Sequence, residues 1–267
     1  MSTTPTVVLV HGAFADASSW SPVTRELLDR GYTVRVPAGY NRSLIGDAAY
    51  IRQFVEGIDE PVVLAGHSYG GAVIGIAGMA ENVIGLVCVS GYVPAEGETL
   101  GQLQARFPDS PLAPNLVLTP VETANGQITD VSVKIEEFPS LFALGVDPAI
   151  AEVLAVSQRP LASVVFEEVA PVSAWTSKPS WGIVSAADRT INPDVERFGY
   201  ERAGFRGVVE LDAPHLVMQT HPKDVADLIE NAITATAASV RVRPAPQIAE
   251  TEASGFRPSS APVSGHR

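Results

Sequence analysis

The first 90 residues alternate between short apolar runs and amphipathic segments, and this alternation constrains the fold more than any other feature. The apolar runs have the length and β-branched content of buried strands, and the segments between them have a helical period. Strict alternation of strand and helix predicts a parallel sheet that is covered by helices on both faces. The predicted strands are Val7 to Val10, Tyr32 to Val36, Pro61 to Ala65 and Ile84 to Ser90. The predicted helices are Ser21 (as N-cap) to Arg30, a segment around Ile51 to Ile58, and Ser68 to Met79.

The alternation stops after Ser90 and resumes at Trp181. Residues 94–175 are rich in proline, and only a hairpin around Asn125-Gly126 and a short helix from Asp147 to Gln158 are predicted there. Strands from Trp181 to Ser185 and from Val208 to Leu211 follow, with helices from Pro193 to Ala203 and from Pro222 to Ile233. We therefore expect one α/β core (residues 1–93 and 176–238) with an insertion (residues 94–175). Residues 239–267 have the composition of a disordered tail.

The charge balance excludes some classes of partner. Asp and Glu outnumber Lys and Arg by 30 to 18, which gives a net charge of −12. Nucleic acid and anionic membrane surfaces attract basic proteins, so we expect neither as a partner. Cys88 is the only cysteine and lies in an apolar run, where we expect a buried thiol and no disulfide. No membrane span or signal-peptide pattern is present, which predicts a cytoplasmic protein. A monomer and a homodimer are both open as its oligomeric state.

A serine motif follows the third predicted strand. The run from Val62 to Ala65 leads into Gly66-His67-Ser68-Tyr69-Gly70, a G-x-S-x-G sequence, and then into a helical segment of small residues. A serine on a tight strand-to-helix turn holds its hydroxyl above the sheet, and the flanking glycines relieve the crowding of that turn. The N-terminus of the helix favours developing negative charge. Ser68 is therefore the predicted nucleophile; the alternative is a serine that only caps the helix.

A nucleophilic serine needs a base, and the base needs an acid that orients it. His215 lies in the loop after the last predicted strand and is the predicted base. We expect His11 and His67 to shape their own turns by hydrogen bonding. Asp188 follows the fifth predicted strand and is the predicted acid. Asp212 is the rival, but residues that are close in sequence on an extended segment point apart.

The negative charge that develops on an ester during attack needs two backbone donors. The amide of Tyr69, directly after the serine, is the first candidate. The second is expected in the loop after the first strand, where Gly12 lets the backbone approach closely. The amide of Ala13 is the candidate there, and that of Phe14 is the alternative.

Four stretches of the sequence resemble the α/β-hydrolases, in a branch with an inserted cap that includes plant methylesterases, hydroxynitrile lyases and many bacterial esterases. The stretches are VVLVHGAFADASSW from Val7, VVLAGHSYGGAV from Val62, PSWGIVSAADRTINP from Pro179 and APHLVMQTHPKDVADLI from Ala213. The resemblance implies an α/β-hydrolase fold, a mostly parallel sheet flanked by helices, in which residues 94–175 form a cap over the active site. The order serine, aspartate, histidine also matches the order in this family.

The resemblance further implies that aromatic side chains of the cap line an acyl or alcohol pocket. For each candidate, ordinary packing inside the cap is the alternative. The candidates are Tyr92, Phe107, Phe138, Phe142 and Trp175.

A few positions distinguish the reactions that this family performs. Position 68 is serine, whereas the dehalogenases and epoxide hydrolases of the family use an aspartate there. Hydroxynitrile lyases have Thr where this chain has Gly12, and Lys where it has Leu216, so no ammonium is present to hold a departing cyanide. The sequence therefore predicts a serine-dependent carboxylic ester hydrolase that acts on a small apolar ester through an acyl-enzyme intermediate.

Three alternatives remain at this point: hydroxynitrile lyase-type C–C cleavage, a non-enzymatic small-molecule receptor, and a cofactor-free perhydrolase or haloperoxidase. The sequence has no Walker loop, no G-x-G-x-x-G after a strand and no H-E-x-x-H. It therefore predicts no cofactor and no metal.

Overall fold

The computed structural model of the protein describes residues 4–124 and 126–241. The strands of this part are β1 (Thr6–Val10), β2 (Val34–Arg35), β3 (Val62–His67), β4 (Val83–Val89), β5 (Leu116–Thr123), β6 (Gly126–Val133), β7 (Leu161–Ala162), β8 (Ser180–Ser185) and β9 (Gly207–Leu211). Its α-helices are α1 (Ser21–Asp29), α2 (Leu44–Glu56), α3 (Tyr69–Ala77), α4 (Leu100–Gln104), α5 (Phe138–Leu141), α6 (Pro148–Val156), α7 (Pro193–Arg202), α8 (Val217–Thr220) and α9 (Pro222–Arg241).

The central sheet has six strands in the order β2-β1-β3-β4-β8-β9, and every neighbouring pair is parallel. All residues of β1, β3 and β8 are buried, as expected for strands that are covered on both faces. Helices α2 and α3 pack together, and α1 packs with α9. Both α3 and α9 contact β3 and β4, so the two pairs cover opposite faces. The predicted parallel sheet with flanking helices is confirmed.

The segment between β4 and β8 forms a second, smaller sheet. Strands β5, β6 and β7 pair antiparallel in that order. The β5–β6 hairpin runs in register from the pair Leu116 and Val133 to the pair Thr123 and Gly126, and Asn125 of the predicted turn lies outside the described residues. Helix α6 begins as predicted, because the Asp147 carboxylate accepts the amide N–H of Ala149 at 2.9 Å. The division of the chain into core and cap stays a prediction.

The start of α1 and the end of α9 differ from the sequence prediction. Ser21 is the first residue of α1 rather than its N-cap, because a 3-10 turn precedes it and Asp16 caps that turn by accepting the Ser18 amide at 2.7 Å. At the other end of the chain, α9 continues past Ile233 to Arg241, so the predicted tail does not begin at residue 239. Residues 242–267 of that tail lie outside the described part. Within the described ranges, no helix is long and apolar enough to cross a bilayer.

Candidate active site

The loops that carry the predicted site residues meet at one edge of the sheet. The chain leaves β1 first toward β2 and then returns to β3 on the other side, which creates a crevice at the carboxyl ends of β1 and β3. These ends are level, since Val10 lies opposite Gly66 in the sheet. Ser68 follows β3, Asp188 follows β8 and His215 follows β9. Because all six strands are parallel, the three loops lie on the same edge.

The turn at Ser68 is held in a strained backbone conformation. Ser68 has φ 55° and ψ −122°, a region that costs a non-glycine residue about 1–3 kcal/mol. Glycines allow the turn to close. A Cβ on Gly66 would lie 2.3 Å from the carbonyl oxygen of Gly70, and a Cβ on Gly70 would lie 2.6 Å from that of Val10. The strand, turn and helix therefore hold the serine in one orientation at the floor of the crevice.

The structure brings Asp188 and His215 together. Nδ1 of His215 lies 2.6 Å from Oδ2 of Asp188, and both side chains are completely buried. The other oxygen, Oδ1, accepts the amides of Thr190 at 2.6 Å and Ile191 at 3.0 Å. A carboxylate with this set of donors places the proton of the neutral imidazole on Nδ1. Nε2 of His215 is buried and has no hydrogen-bond partner in the described part of the chain, so it is available as a base.

His67 connects this pair to the serine turn. Its Nε2–H donates to the carbonyl oxygen of His215 at 3.0 Å, and the two rings lie 4.6 Å apart between centroids. Burial, together with the neighbouring His215, lowers the pKa of His67 well below its usual value, so this ring is neutral. Since His67 directly precedes Ser68, these contacts tie the loop of His215 to the nucleophile turn. The ring of His67 thus bonds a second loop, whereas its expected role in shaping its own turn stays a prediction.

The loop after β1 presents the Ala13 amide. Gly12 O accepts hydrogen bonds from His11 Nδ1 at 2.9 Å and from Asn41 Nδ2 at 3.3 Å. His11 Nε2 in turn accepts the amide of Gly39 at 2.9 Å. Because the C=O and N–H of a trans peptide point in opposite directions, the Ala13 N–H points away from these donors. Burial lowers the pKa of His11, which keeps Nε2 free to accept.

The Gly12 backbone also lies against the serine. A Cβ at position 12 would be only 2.8 Å from the Cβ of Ser68. The amides of Ala13 and Tyr69 donate to no other group among the described residues. Phe14, the alternative to Ala13, has φ 58° and its ring packs edge-on against Phe142 at 5.7 Å. This geometry supports Ala13 and Tyr69 as oxyanion donors, an assignment that stays a prediction.

A narrow, partly open cavity of about 50 Å³ opens onto these groups. Ala13, Ser68 and Tyr69 form one end of it, and most of the remaining wall is apolar. No charged side chain of the described residues lines it. Gln104 is the main polar group of the wall and accepts a hydrogen bond from the Tyr92 hydroxyl at 3.2 Å. The cavity therefore suits a small ligand that is apolar and uncharged.

Comparison with known proteins agrees with this architecture. The model of the alpha/beta hydrolase family matches residues 7–228. The chain belongs to the alpha/beta hydrolase family. The family that the sequence resembles, and its fold, are thus confirmed. A search of curated proteins finds no match to this hydrolase.

Solved structures show the same fold at low sequence identity. Polyneuridine aldehyde esterase superposes with a TM-score of 0.75 at 18% identity, over 86% of this chain and 99% of the esterase. A pyrethroid hydrolase from Sphingobium faniae JZ-2 gives 0.69 at 20% identity, over 88% of this chain and 100% of its own. A methylesterase from Arabidopsis gives 0.73 at 15% identity, over 86% and 99% respectively. At this identity the likeness establishes the fold.

Of the five aromatic side chains that were candidates for substrate contact, only Tyr92 lines the cavity of this hydrolase. Phe138 and Phe142 are buried against each other at 4.8 Å, and Phe142 packs on the His215 ring at 5.0 Å. Phe107 packs on a phenylalanine of α7 at 5.8 Å. Trp175 donates from Nε1 to a backbone carbonyl at 3.3 Å, away from the cavity. These four side chains make packing contacts in the structure, and their part in substrate binding stays a prediction.

Sequence reasoning missed several residues that line the cavity. They are Leu100, Gln104, Ser110, Leu112, Ala113, Leu116, Leu161, Phe166, Thr190 and Ile191. One signal could have found the first two. Thr99 and Gln102 form a capping box, with Thr99 Oγ1 accepting the Gln102 amide at 3.1 Å and Gln102 Oε1 accepting the Thr99 amide at 3.0 Å. This pattern marks the start of α4, which presents Leu100 and Gln104 four residues apart on one face.

Proposed function

We propose that this protein is a serine-dependent carboxylic ester hydrolase that acts on a small apolar ester through an acyl-enzyme intermediate. The observation that carries the proposal is the junction between the strained turn at Ser68 and the buried Asp188–His215 pair. His67 bonds the two loops together, and Nε2 of His215 has no other partner in the described chain. A constrained serine, an unpaired imidazole nitrogen and an orienting carboxylate are the components of nucleophilic acyl transfer.

In the first half of the reaction, Ser68 Oγ attacks the ester carbonyl and its proton passes to Nε2 of His215. The imidazolium that forms is stabilised by Asp188, which already accepts Nδ1–H at 2.6 Å. Collapse of the tetrahedral intermediate expels the alcohol, and Nε2 returns the proton to the leaving oxygen. An acyl group is then bonded to Ser68.

The negative oxygen of the intermediate is held by the amides of Ala13 and Tyr69. Neither amide makes a turn or loop hydrogen bond among the described residues, so each can donate to this oxygen. Donors that are already oriented contribute most to such a step, and loss of one typically costs about 3–4 kcal/mol of transition-state stabilisation. Tyr69 is also the first residue of α3, where the helix dipole favours negative charge.

In the second half, His215 takes a proton from water as the water attacks the acyl group. The same hydrogen bonds to Asp188 and the same two amides serve this step. The acid leaves and Ser68 recovers its proton. No group beyond those of the chain and water is needed for atoms and charges to balance.

The cavity supports an uncharged, largely apolar ester as the substrate. Its wall carries no charged side chain of the described residues that could pair with an anionic or cationic group. Structurally similar proteins include two whose names identify them as esterases and one identified as a pyrethroid hydrolase. These names agree with ester hydrolysis and leave the particular ester open.

Two positions disfavour cleavage of a cyanohydrin. A threonine at position 12 would bring its Cβ within 2.8 Å of the Cβ of Ser68, so this backbone accepts only glycine there. Leu216 occupies the position where hydroxynitrile lyases carry lysine, and it is buried in the apolar core. The site therefore has no ammonium group that could stabilise cyanide.

The proposal is tested by hydrolysis of p-nitrophenyl acetate and butyrate with the purified protein. We expect turnover in the wild type and its loss in Ser68→Ala. Ser140→Ala is the matched control, since this serine is exposed on α5 and is not among the residues that line the cavity. Equal turnover in the wild type and Ser68→Ala would contradict the proposal.

A further inference from the structure

A second carboxyl group is buried behind the Asp188–His215 pair. Glu196 lies on the first turn of α7 and is fully buried. Its Oε2 accepts the amide N–H of Ser185, at the end of β8, at 3.0 Å. Its Oε1 is also buried and has no donor among the described residues. The carboxyl group of Asp188 is within hydrogen-bonding range. A neighbour of this carboxyl group, with its unpartnered Oε1, is thus another hydrogen-bond acceptor.

Two carboxyl groups in one buried site do not both ionise readily, because each charge disfavours the other. Asp188 has a set of donors that suits a carboxylate: the imidazole of His215 and two backbone amides. Glu196 has only the Ser185 amide. Burial and the neighbouring charge of Asp188 raise the pKa of Glu196 well above its usual value. The negative charge is thus better placed on Asp188 and the proton on Glu196.

The other charged or titratable groups around Glu196 do not reverse this balance. Arg197 lowers its pKa, but that guanidinium is exposed and bonds Glu210 at 2.6 Å. The dipole of α7 also favours a carboxylate, although this effect is small and fades within the first turn. Tyr92 and Tyr200 stay neutral, since burial raises the pKa of both phenols.

We propose that Glu196 is a positioning residue whose protonated Oε1 donates a hydrogen bond to Asp188 and holds that carboxylate toward His215. The hydrogen bonds then run from Glu196 to Asp188 and from Nδ1 of His215 to Asp188. Both buried carboxyl groups are satisfied, and the pair carries a single negative charge. The predicted effect on catalysis rests on the proposed function, whereas the predicted protonation of Glu196 does not.

The protonation state is tested without any substrate by the variant Glu196→Gln. Glutamine retains a donor and an oxygen at the same place but cannot ionise. In the unfolded chain, Glu196 ionises near its ordinary pKa of 4.5. Above that pH, unfolding of the wild type releases a proton that the variant lacks, so the wild type loses stability relative to the variant as pH rises. We expect the ratio of unfolding constants, wild type over variant, to increase with pH above about pH 5.5, by up to about tenfold per pH unit.

Urea titrations at several pH values give this ratio. Glu201→Gln is the matched control, because Glu201 lies exposed on the same helix and its substitution should give a ratio that does not change with pH. A ratio for Glu196→Gln that is equally flat would mean that Glu196 is ionised in the folded protein. That result would overturn the proposal.

The positioning role is tested by kinetics with p-nitrophenyl acetate. Glu196→Gln should retain kcat within a few-fold, with the acid limb of its kcat/KM profile unchanged. Glu196→Leu keeps the volume but removes the donor, so kcat should fall about tenfold or more with little change in KM. Full activity in Glu196→Leu would overturn the role. A shift of the acid limb to lower pH in Glu196→Gln would do the same, since it would show that a charge had been removed.

Failure of the stability experiment can be distinguished from failure of the proposed function. If the wild type hydrolyses no ester, the proposed function is contradicted, and the stability ratio still tests the proton on Glu196. If Glu196→Leu does not fold, as judged by circular dichroism, the Glu196→Gln profile and the stability ratio decide the outcome.

Discussion

Asp188 and Asp212 were both candidates to orient His215, and individual atoms distinguish them. Asp188 is buried and accepts three hydrogen bonds, one of them from the imidazole. Asp212 is exposed, although it is only three positions from His215. On an extended segment, side chains that are three positions apart point to opposite sides. The structure therefore supports the residue that is more distant in sequence.

We expect Asp188→Asn to lower kcat for p-nitrophenyl acetate by about four orders of magnitude, because an amide favours the wrong imidazole tautomer. KM should change little, since Asp188 does not line the cavity. Asp212→Asn is the matched control and should behave as the wild type. Similar kcat values for the two variants would remove Asp188 from the mechanism.

Cys88 is the only thiol of the chain, and its burial gives a second prediction at this scale. Burial raises the pKa of the thiol to about 12. The thiolate is the reactive form, and at pH 8 it would be about one part in ten thousand of the total. We expect no labelling by a disulfide reagent in the folded protein at pH 8 and one equivalent in urea. Rapid labelling of the folded protein would show that the β4 region opens readily.

Sequence periodicity predicted most strands and helices of the central sheet because they are long enough to show their pattern. Strand β2 has only two residues, but it lies within the longer apolar run from Tyr32 to Val36. The shorter elements between β4 and β8 have no such pattern. Helix α5 has four residues and β7 has two, so neither completes a period that could be recognised. Strand β7 exists because β6 lies beside it, a contact between distant parts of the chain. Such elements follow from tertiary packing.

Two glycines of α3 provide a matched pair for a prediction about this element. A Cβ on Gly70 would lie 2.6 Å from the carbonyl oxygen of Val10, whereas a Cβ on Gly75 would meet nothing within 4 Å. Gly70→Ala should therefore destabilise the protein or prevent folding. Gly75→Ala should stabilise it by about 0.5–1 kcal/mol, because alanine favours the helix.

Urea titration of the two variants measures this difference. Equal stability of Gly70→Ala and the wild type would mean that α3 does not approach the end of β1 as closely as the structure has it. Loss of stability in Gly75→Ala would show that the space beside this glycine is filled.

At the scale of the whole molecule, topology explains why the candidate site could be predicted so far from sequence. Parallel strands place all their following loops at one edge, so serine, aspartate and histidine needed only to follow separate strands. The cavity could not be predicted in the same way. Its wall combines the central edge with α4, β7 and the loop after Asp188, and only Tyr92 of the candidates contributes to it. The buried carboxyl group of Glu196 was also not predicted, since nothing in its local sequence indicates burial.

The proposed mechanism is tested most directly by identifying the nucleophile. Covalent labelling with an uncharged p-nitrophenyl phosphonate does this. Mass spectrometry of the intact protein gives the stoichiometry, and a peptide map gives the site. We expect one equivalent on Ser68, with labelling abolished in Ser68→Ala and strongly slowed in Asp188→Asn. Labelling of another residue, or ester turnover by a protein whose Ser68 stays unmodified, would contradict the proposed mechanism.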